Sequence, residues 1–327
     1  MSVIADTIVV EKNETETSVE RGRIIDGKRI AAEIRAEVKL ECAEFRAQTG
    51  IHPRIVFILV GEDPASEVYV RNKGLSAEEA GFSHETMVLP AATAENELVD
   101  LIYRINNDSL THGLLVQFPL PKHVREERVI EALDPNKDVD GFHPLNAGRL
   151  SIGRGEYFAP CTPSGVVEML ARENIPVSGR HVVIVGRSNL VGKPLALLMA
   201  QKTPRTNAIV TIAHTGAGAR LAEITRSADI LIAAMGVPHA ITADMVSDGA
   251  VVIDVGMNRI VDTSRKSGFR LVGDVDYDNV RLKASAITPV PGGVGPMTIA
   301  LLLRNTLAAA KRSARGSGNV EKGIVNL

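Results

Sequence analysis

VVIVGRSNLVGKPLALLM, residues 182–199, is the stretch on which the fold turns. Val182, Val183, Ile184 and Val185 form an unbroken β-branched run that ends at Gly186, the pattern of a strand buried on both faces of a parallel sheet. A loop from Gly186 to Gly192 follows, and then an apolar segment with Pro194 near its start. Proline suits the first helical turn, where its missing N–H costs nothing, and the free N–H groups of that turn attract an anion. The loop is not GxGxxG, because Ser188 holds the middle position and the spacing is longer. The reading is strand, tight loop, helix: the first βα unit of a doubly wound nucleotide-binding fold.

Downstream, three more β-rich runs repeat the alternation: AIVTIAH (208–214), DILIAAMG (229–236) and VVIDVG (251–256), with helices between them. Upstream, a second alternation appears. Ile30, Ile34, Val38 and Phe45 recur at helical spacing within 28–49, and RIVFILVG (54–61) reads as another buried strand. A helix over 66–80 stopped by Gly81, a strand over 85–89 and a helix over 95–106 come next. GLLVQFPLP (113–121) starts as a strand and breaks at Pro119. The Pro- and Gly-bearing stretch 134–163 reads as an irregular hinge, and 163–174 as a helix. ITPVPGGVGPMT (287–298) leads into an apolar helix over 297–311, beyond which the chain is expected to fray.

The pattern therefore predicts an α/β protein with parallel sheets. A length of 327 residues suits about two domains, and 45% apolar with 23% charged residues supplies two buried cores. The net charge of −2 leaves no electrostatic footprint for nucleic acid. No apolar run reaches the roughly 20 residues of a membrane span. Cys42 and Cys161 lie far apart, form no metal spacing, and read as small core residues rather than a disulfide or a nucleophile. No cluster of His, Cys and carboxylates suggests a metal. Residues 1–22 hold more acidic than basic side chains, resemble neither a secretory signal nor a transit peptide, and read as a mobile tail.

Two features point to NADP rather than NAD. The second strand of the nucleotide-binding half runs into His214, Thr215 and Gly216, with no acidic residue to hold ribose hydroxyls. Arg187 stands in the first loop, where a guanidinium can meet a 2′-phosphate.

Candidate chemistry lies in the first half. In EDPASEVYVRNKGLSAEEAGF (62–82), Tyr69 and Lys73 share a helix face, with Ser66 one turn earlier. Tyr69 can stack on a flat ring, and a buried lysine can move protons near neutral pH. Gln117, after an apolar strand, can hydrogen-bond Lys73, and Asp140 in KDVDGF can accept from a heterocycle bearing an amino group and a ring N–H. A surface lysine, a loop amide and a turn aspartate are the plainer alternatives. PVPGGVGPMT (289–298) lets backbone approach either a cofactor or a substrate, or serves as a domain connection.

Together YVRNK, GLLVQFPLP, PNKDVDGFHPLNAGRL, PCTPSGVVEML, VVIVGRSNLVGKPLALLM, VVIDVGMNR, LVGDVDYD and ITPVPGGVGPMT resemble one family, the bifunctional methylenetetrahydrofolate dehydrogenase/methenyltetrahydrofolate cyclohydrolases, in order over residues 24–311. The resemblance implies two α/β domains with a cleft between them, the C-terminal helix packing back on the first. The implied division is a folate-binding catalytic domain over 23–160 plus 296–327 and a Rossmann-like NADP-binding domain over 161–295. It implies oxidation of 5,10-methylene-tetrahydrofolate with NADP, then hydrolysis to 10-formyl-tetrahydrofolate, in cytoplasmic one-carbon metabolism serving purine biosynthesis. It implies a homodimer formed through the NADP domain.

The implied roles fall on matching positions. Lys73 is the catalytic base and acid, Gln117 tunes it, Tyr69 stacks along the folate, and Asp140 anchors the pterin. Val116, Phe118, Pro291, Gly292 and Gly293 border the substrate. Gly186, Arg187 and Ser188 form the dinucleotide loop, Thr215 lies by the 2′-phosphate, and the backbone of Met257 lies near the nicotinamide. One departure stands out: the family often reads YVxxKxK, and here Leu75 replaces the second lysine, after Gly74. Rival readings are another two-domain dehydrogenase acting on an amino or hydroxy acid, a single-activity enzyme, and a non-catalytic scaffold.

Overall fold

The structure is a computed structural model that describes residues 22–265 and 268–319. Apart from Gly22, the expected N-terminal tail lies outside the described residues. Strand β1 (Arg23–Ile24) precedes helix α1 (Gly27–Thr49), and β2 (Arg54–Val60), α2 (Pro64–Glu79), β3 (Ser83–Leu89), α3 (Glu95–Asn106) and β4 (Gly113–Val116) follow in alternation. These three long strands make a parallel sheet in the order β3-β2-β4. Helices α4 (Glu126–Ala132), α5 (Pro144–Ile152) and α6 (Cys161–Arg172) lead into the second half. There β5 (His181–Val185), α7 (Gly192–Ala200), β6 (Ile209–Ala213), α8 (Arg220–Arg226), β7 (Ile230–Ala233) and β8 (Val251–Asp254) alternate. A hairpin of β9 (Asn258–Val261) and β10 (Phe269–Val272), the short α9 (Tyr277–Val280), β11 (Ala286–Ile287) and the long α10 (Gly295–Asn319) complete the chain.

The larger sheet is parallel throughout, in the order β1-β11-β8-β7-β5-β6. From β5 the chain moves outward to β6 and then crosses back to β7 on the other side. That reversal opens a crevice at the carboxyl ends of β5 and β7, the place where open α/β sheets bind ligands. The smaller sheet repeats the device at the ends of β2 and β4.

Helix α1 shows how sequence sets these positions. The Asp26 side chain accepts a hydrogen bond from the Arg29 N–H and caps the first turn. Ile30, Ala31, Ile34, Val38, Cys42 and Phe45 line its buried face, and Gly50 ends it in the left-handed conformation at φ 69°. That face packs against α10, so the C-terminal helix returns to the first half. On β2, Ile55, Phe57 and Ile58 are fully buried, each stabilising the fold by about 1.5–3 kcal/mol.

Charged groups tie the layers together. The buried Glu168 carboxylate of α6 pairs with Arg172 at 2.8 Å, Arg205 at 2.7 Å and Arg304 at 3.1 Å. Arg304 belongs to α10 and Arg205 to the loop after α7, so this one carboxylate bridges the two halves.

Two expectations change, and two details are added. The stretch 134–163 is not wholly irregular, because it contains α5, capped by His143 Nδ1 accepting from the Leu145 N–H at 3.0 Å. The chain does not fray at Arg312: α10 continues to Asn319, and Arg312 lies 4.3 Å over the Phe158 ring and 3.2 Å from Glu156. Arg23 and Ile24 pair with β11 of the larger sheet rather than with the three-stranded one. Helix α2 runs unbroken through Gly74, where a Cβ would lie 2.7 Å from His84 Cε1 on β3. The glycine lets the helix sit close on the sheet, and Leu75 points away, 51% exposed.

Candidate active site

The site of the first half forms where β2 and β4 end. Helix α2 follows β2, opened by Asp63, whose carboxylate accepts from the Ser66 N–H at 2.9 Å and hydroxyl at 2.8 Å. Ser66 is thus engaged by the Asp63 cap and not part of the constellation. Two turns on, Lys73 is buried at 3% exposure. Its Nζ donates to Gln117 Oε1 at 3.0 Å and lies 4.7 Å from the centre of the Tyr69 ring. Gln117 comes directly after β4; its N–H donates to the Ile58 carbonyl at 2.8 Å and its Nε2 to the Phe118 carbonyl at 2.7 Å. The amide is thereby oriented with its oxygen toward the lysine.

Asp140 completes the group. Burial raises its carboxyl above the usual range, and the nearby Lys73 opposes that rise. Burial likewise lowers Lys73, against the pull of Asp140. Desolvation disfavours both charges, so each is pushed toward its neutral form. The Tyr69 hydroxyl is pushed up to about 12 by burial and by the Asp140 carboxylate.

Sequence reasoning missed the scaffold behind Asp140. The neighbouring Asp138 is wholly buried, and its carboxylate accepts from the N–H groups of Gly141 at 3.2 Å, Phe142 at 3.2 Å and His143 at 2.8 Å, and from Asn146 Nδ2 at 2.9 Å. It holds the turn that presents Asp140. The paired aspartates of KDVDGF were the available signal: one caps the turn, and the other is left to face Lys73. Gly141, at φ 78°, brings the turn so close to Ala159 that a Cβ would sit 2.6 Å from its carbonyl carbon. Asn305 of α10 donates from Nδ2 to the Val139 carbonyl at 2.8 Å. Cys161 is buried beside Asp140, which raises its thiol far above the usual value through burial and the adjacent charge, so it is an inert wall of the site.

Lys73, Gln117, Tyr69 and Asp140 therefore converge. Val116 is the buried last residue of β4, and Phe118 reaches Phe142 with ring centroids 6.2 Å apart, which joins the two specific motifs. Pro291, Gly292 and Gly293 form the loop before α10. Its Gly292 carbonyl accepts from the Lys28 N–H at 3.1 Å, and α10 then carries Thr298 to a hydrogen bond with Tyr69. Pro291 itself lines a separate cavity of about 520 Å³ shared with Asp254 and Gly273.

The second crevice is built for a dinucleotide. A Cβ on Gly186 would collide with the Ala234 carbonyl, and one on Gly192 with the Gly186 carbonyl, so only glycines permit this cradle. Ser188 Oγ accepts from the Val191 N–H at 3.1 Å. Arg187 is exposed and has no side-chain partner among the described residues. Thr215 is exposed in the turn after β6, and Met257, 53% exposed, reaches the start of α10 at Gly295. The glycine cradle, the helix N-terminus and the absence of an acidic side chain at the β6 tip fit NADP.

Fold and site together define a two-domain α/β enzyme that pairs a dinucleotide crevice with a buried lysine centre. Comparison with known proteins takes this further. The catalytic-domain model of tetrahydrofolate dehydrogenase/cyclohydrolase matches residues 25–140, and that family's NAD(P)-binding domain model matches residues 160–314. The bifunctional protein FolD of Prosthecochloris aestuarii is 55% identical over 291 residues, 89% of this chain and 98% of that protein. The crystal structure of the Campylobacter jejuni FolD dehydrogenase/cyclohydrolase superposes with a TM-score of 0.82 at 42% identity, covering 88% of this chain and 98% of that one. That of the Trypanosoma brucei enzyme, complexed with NADP and an inhibitor, gives 0.86 at 37% identity, covering 90% and 99%. The chain belongs to the tetrahydrofolate dehydrogenase/cyclohydrolase family. It is a bifunctional, NADP-dependent methylenetetrahydrofolate dehydrogenase and methenyltetrahydrofolate cyclohydrolase.

Proposed function

We propose that the centre of Lys73, Gln117, Tyr69 and Asp140 carries the folate chemistry of this enzyme: oxidation of 5,10-methylene- to 5,10-methenyl-tetrahydrofolate, then hydrolysis to 10-formyl-tetrahydrofolate. The observation that carries the reading is the buried Lys73 ammonium held against a neutral amide oxygen at 3.0 Å.

NADP, when bound, supplies the hydride acceptor. The chain's own task in that step is to hold two partners in reacting geometry. Tyr69 offers a ring face to the folate, Asp140 accepts from the pterin, and Val116, Phe118, Pro291, Gly292 and Gly293 border it. The methenyl product is a cation, which a charged lysine would repel. Burial lowers Lys73, so its neutral form is accessible, and Nζ takes a proton from the attacking water. The same Nζ then returns that proton to the ring nitrogen as the C–N bond opens, and the carbinol hydroxyl releases its own proton to solvent as it becomes the formyl carbonyl.

The loop backbone of Gly186, Arg187 and Ser188 lies along the phosphates, the Arg187 guanidinium and Thr215 meet the 2′-phosphate, and the backbone of Met257 borders the nicotinamide. The division into a catalytic domain over 23–160 plus 296–327 and a cofactor domain over 161–295 follows the same reading. A homodimer through the cofactor domain and a cytoplasmic location complete it. Among the described residues, no helix is long and apolar enough to cross a membrane.

Lys73→Ala tests the assignment. The variant is expected to fold and to bind NADP, yet to lose hydrolysis of methenyl-tetrahydrofolate by at least a hundredfold, the scale of a lost acid–base group. Near-normal hydrolysis would remove Lys73 from the mechanism.

A further inference from the structure

Two buried carboxylates outside the lysine centre meet at the mouth of the dinucleotide crevice. Asp274, just after β10, is fully buried, and Asp254, the last residue of β8, is 3% exposed. Asp274 Oδ2 accepts from the N–H groups of Met235 at 2.6 Å and Gly236 at 2.9 Å, and Oδ1 from that of Val237 at 3.0 Å. Oδ1 also accepts from Asn258 Nδ2 at 2.8 Å. Asp254 in turn accepts from the N–H groups of Gly256 at 2.9 Å, Asp274 at 3.0 Å and Val275 at 2.9 Å. The two are linked in series, with Asp254 fixing the backbone that carries Asp274.

A buried carboxylate is costly unless donors surround it, and here each oxygen has its donors. What they gather is the informative part. Residues 235–237 follow β7 at the switch point, next to Ala234, whose carbonyl packs on Gly186. Gly256 and Asn258 flank Met257, and a Cβ on Gly256 would strike the Asp274 carboxylate. One side chain therefore pins the loop after β7 and the turn after β8 into a single wall facing the first glycine of the cradle.

We propose that Asp274 is a positioning residue for the nicotinamide end of the bound dinucleotide. The proposal rests on the reading that Gly186 and Met257 border that ligand. Asp274 touches neither the folate centre nor the adenine end at Thr215. Its effect is confined to the part of the cofactor that crosses the wall.

Asp274→Asn keeps the shape but turns one acceptor into a donor facing backbone N–H groups. Calorimetry with two probes, NADP and 2′-phospho-ADP-ribose, reads the result without any turnover. The expected outcome is a Kd for NADP at least tenfold higher, with that for 2′-phospho-ADP-ribose within twofold of the unsubstituted chain. Equal weakening of both probes, or no weakening of either, would overturn the proposal. Asn258→Ala, at a partly exposed position, guards against a variant that fails to fold. It removes one donor and is expected to raise the NADP Kd about threefold while sparing the fragment; an unchanged NADP Kd there counts against the proposal. Failure of the underlying reading looks different: Arg187→Ala, on the loop of the glycine cradle, would then leave the Kd for both probes unchanged, and the inference would fall with it.

Discussion

Lys73 and Gln117 come from opposite sides of the central strand of the smaller sheet and meet at 3.0 Å, ammonium to amide oxygen. The partner is neutral, and that matters. A carboxylate in its place would favour the charged lysine and erase the effect of burial.

Gln117→Glu is expected to do this. In the unsubstituted enzyme, hydrolysis rises with pH as Lys73 loses its proton, with an inflection below the ordinary lysine value of 10.5 because burial lowers it. The glutamate raises that inflection by about one unit or more and cuts the rate at neutral pH about tenfold. Initial rates across pH, corrected for the uncatalysed reaction, read both effects. An inflection that does not move would separate Gln117 from the titration.

Arg187 is exposed and has no side-chain partner among the described residues. Arg187→Ala is expected to raise the Kd for NADP about tenfold or more, the worth of a charge-assisted contact, and to leave that for NAD within twofold. Parallel calorimetric titrations with the two dinucleotides decide it; equal losses would place the guanidinium elsewhere than on the 2′-phosphate.

Much of this was legible in the chain, for reasons that can be named. Residues 182–199 announced strand, loop and helix because glycine, proline and β-branched residues act locally. Lys73, Gln117 and Asp140 could be singled out from residue type and motif. Tertiary contacts hid the rest. Arg23–Ile24 is too short for a periodic signal, and only its pairing with β11 makes it a strand. Helix α10 outruns its apolar pattern because Arg312 finds the Phe158 ring. Ser66 has the right spacing for the site, but its hydroxyl is given to Asp63, the cap of the helix. The role of Asp274 is set by three backbone N–H groups nearly forty positions away, which leave no mark in composition.

Glu168 makes the link between halves testable by acid. Burial raises its carboxyl, yet hydrogen bonds from Arg304 and Arg172 outweigh that and hold it at about 2. A depressed carboxylate contributes stability above its ordinary value of 4.5, and that contribution is lost as pH falls from there toward 2. Glu168→Ala, which leaves Arg205 without its carboxylate and Arg172 and Arg304 to Glu33 and Glu37, is expected to cost about 3 kcal/mol at pH 7 and progressively less below pH 4.5. Urea melts at several pH values measure the difference; a gap that stays constant into acid would contradict the assigned network.

The most direct measurement follows the absorbance of purified protein mixed with 5,10-methylene-tetrahydrofolate and NADP. The account predicts NADPH formation together with a methenyl signal that decays faster than in an enzyme-free control, both from the one chain. NADPH with only background decay would deny the lysine centre its hydrolytic step, and no NADPH at all would contradict the account at its root.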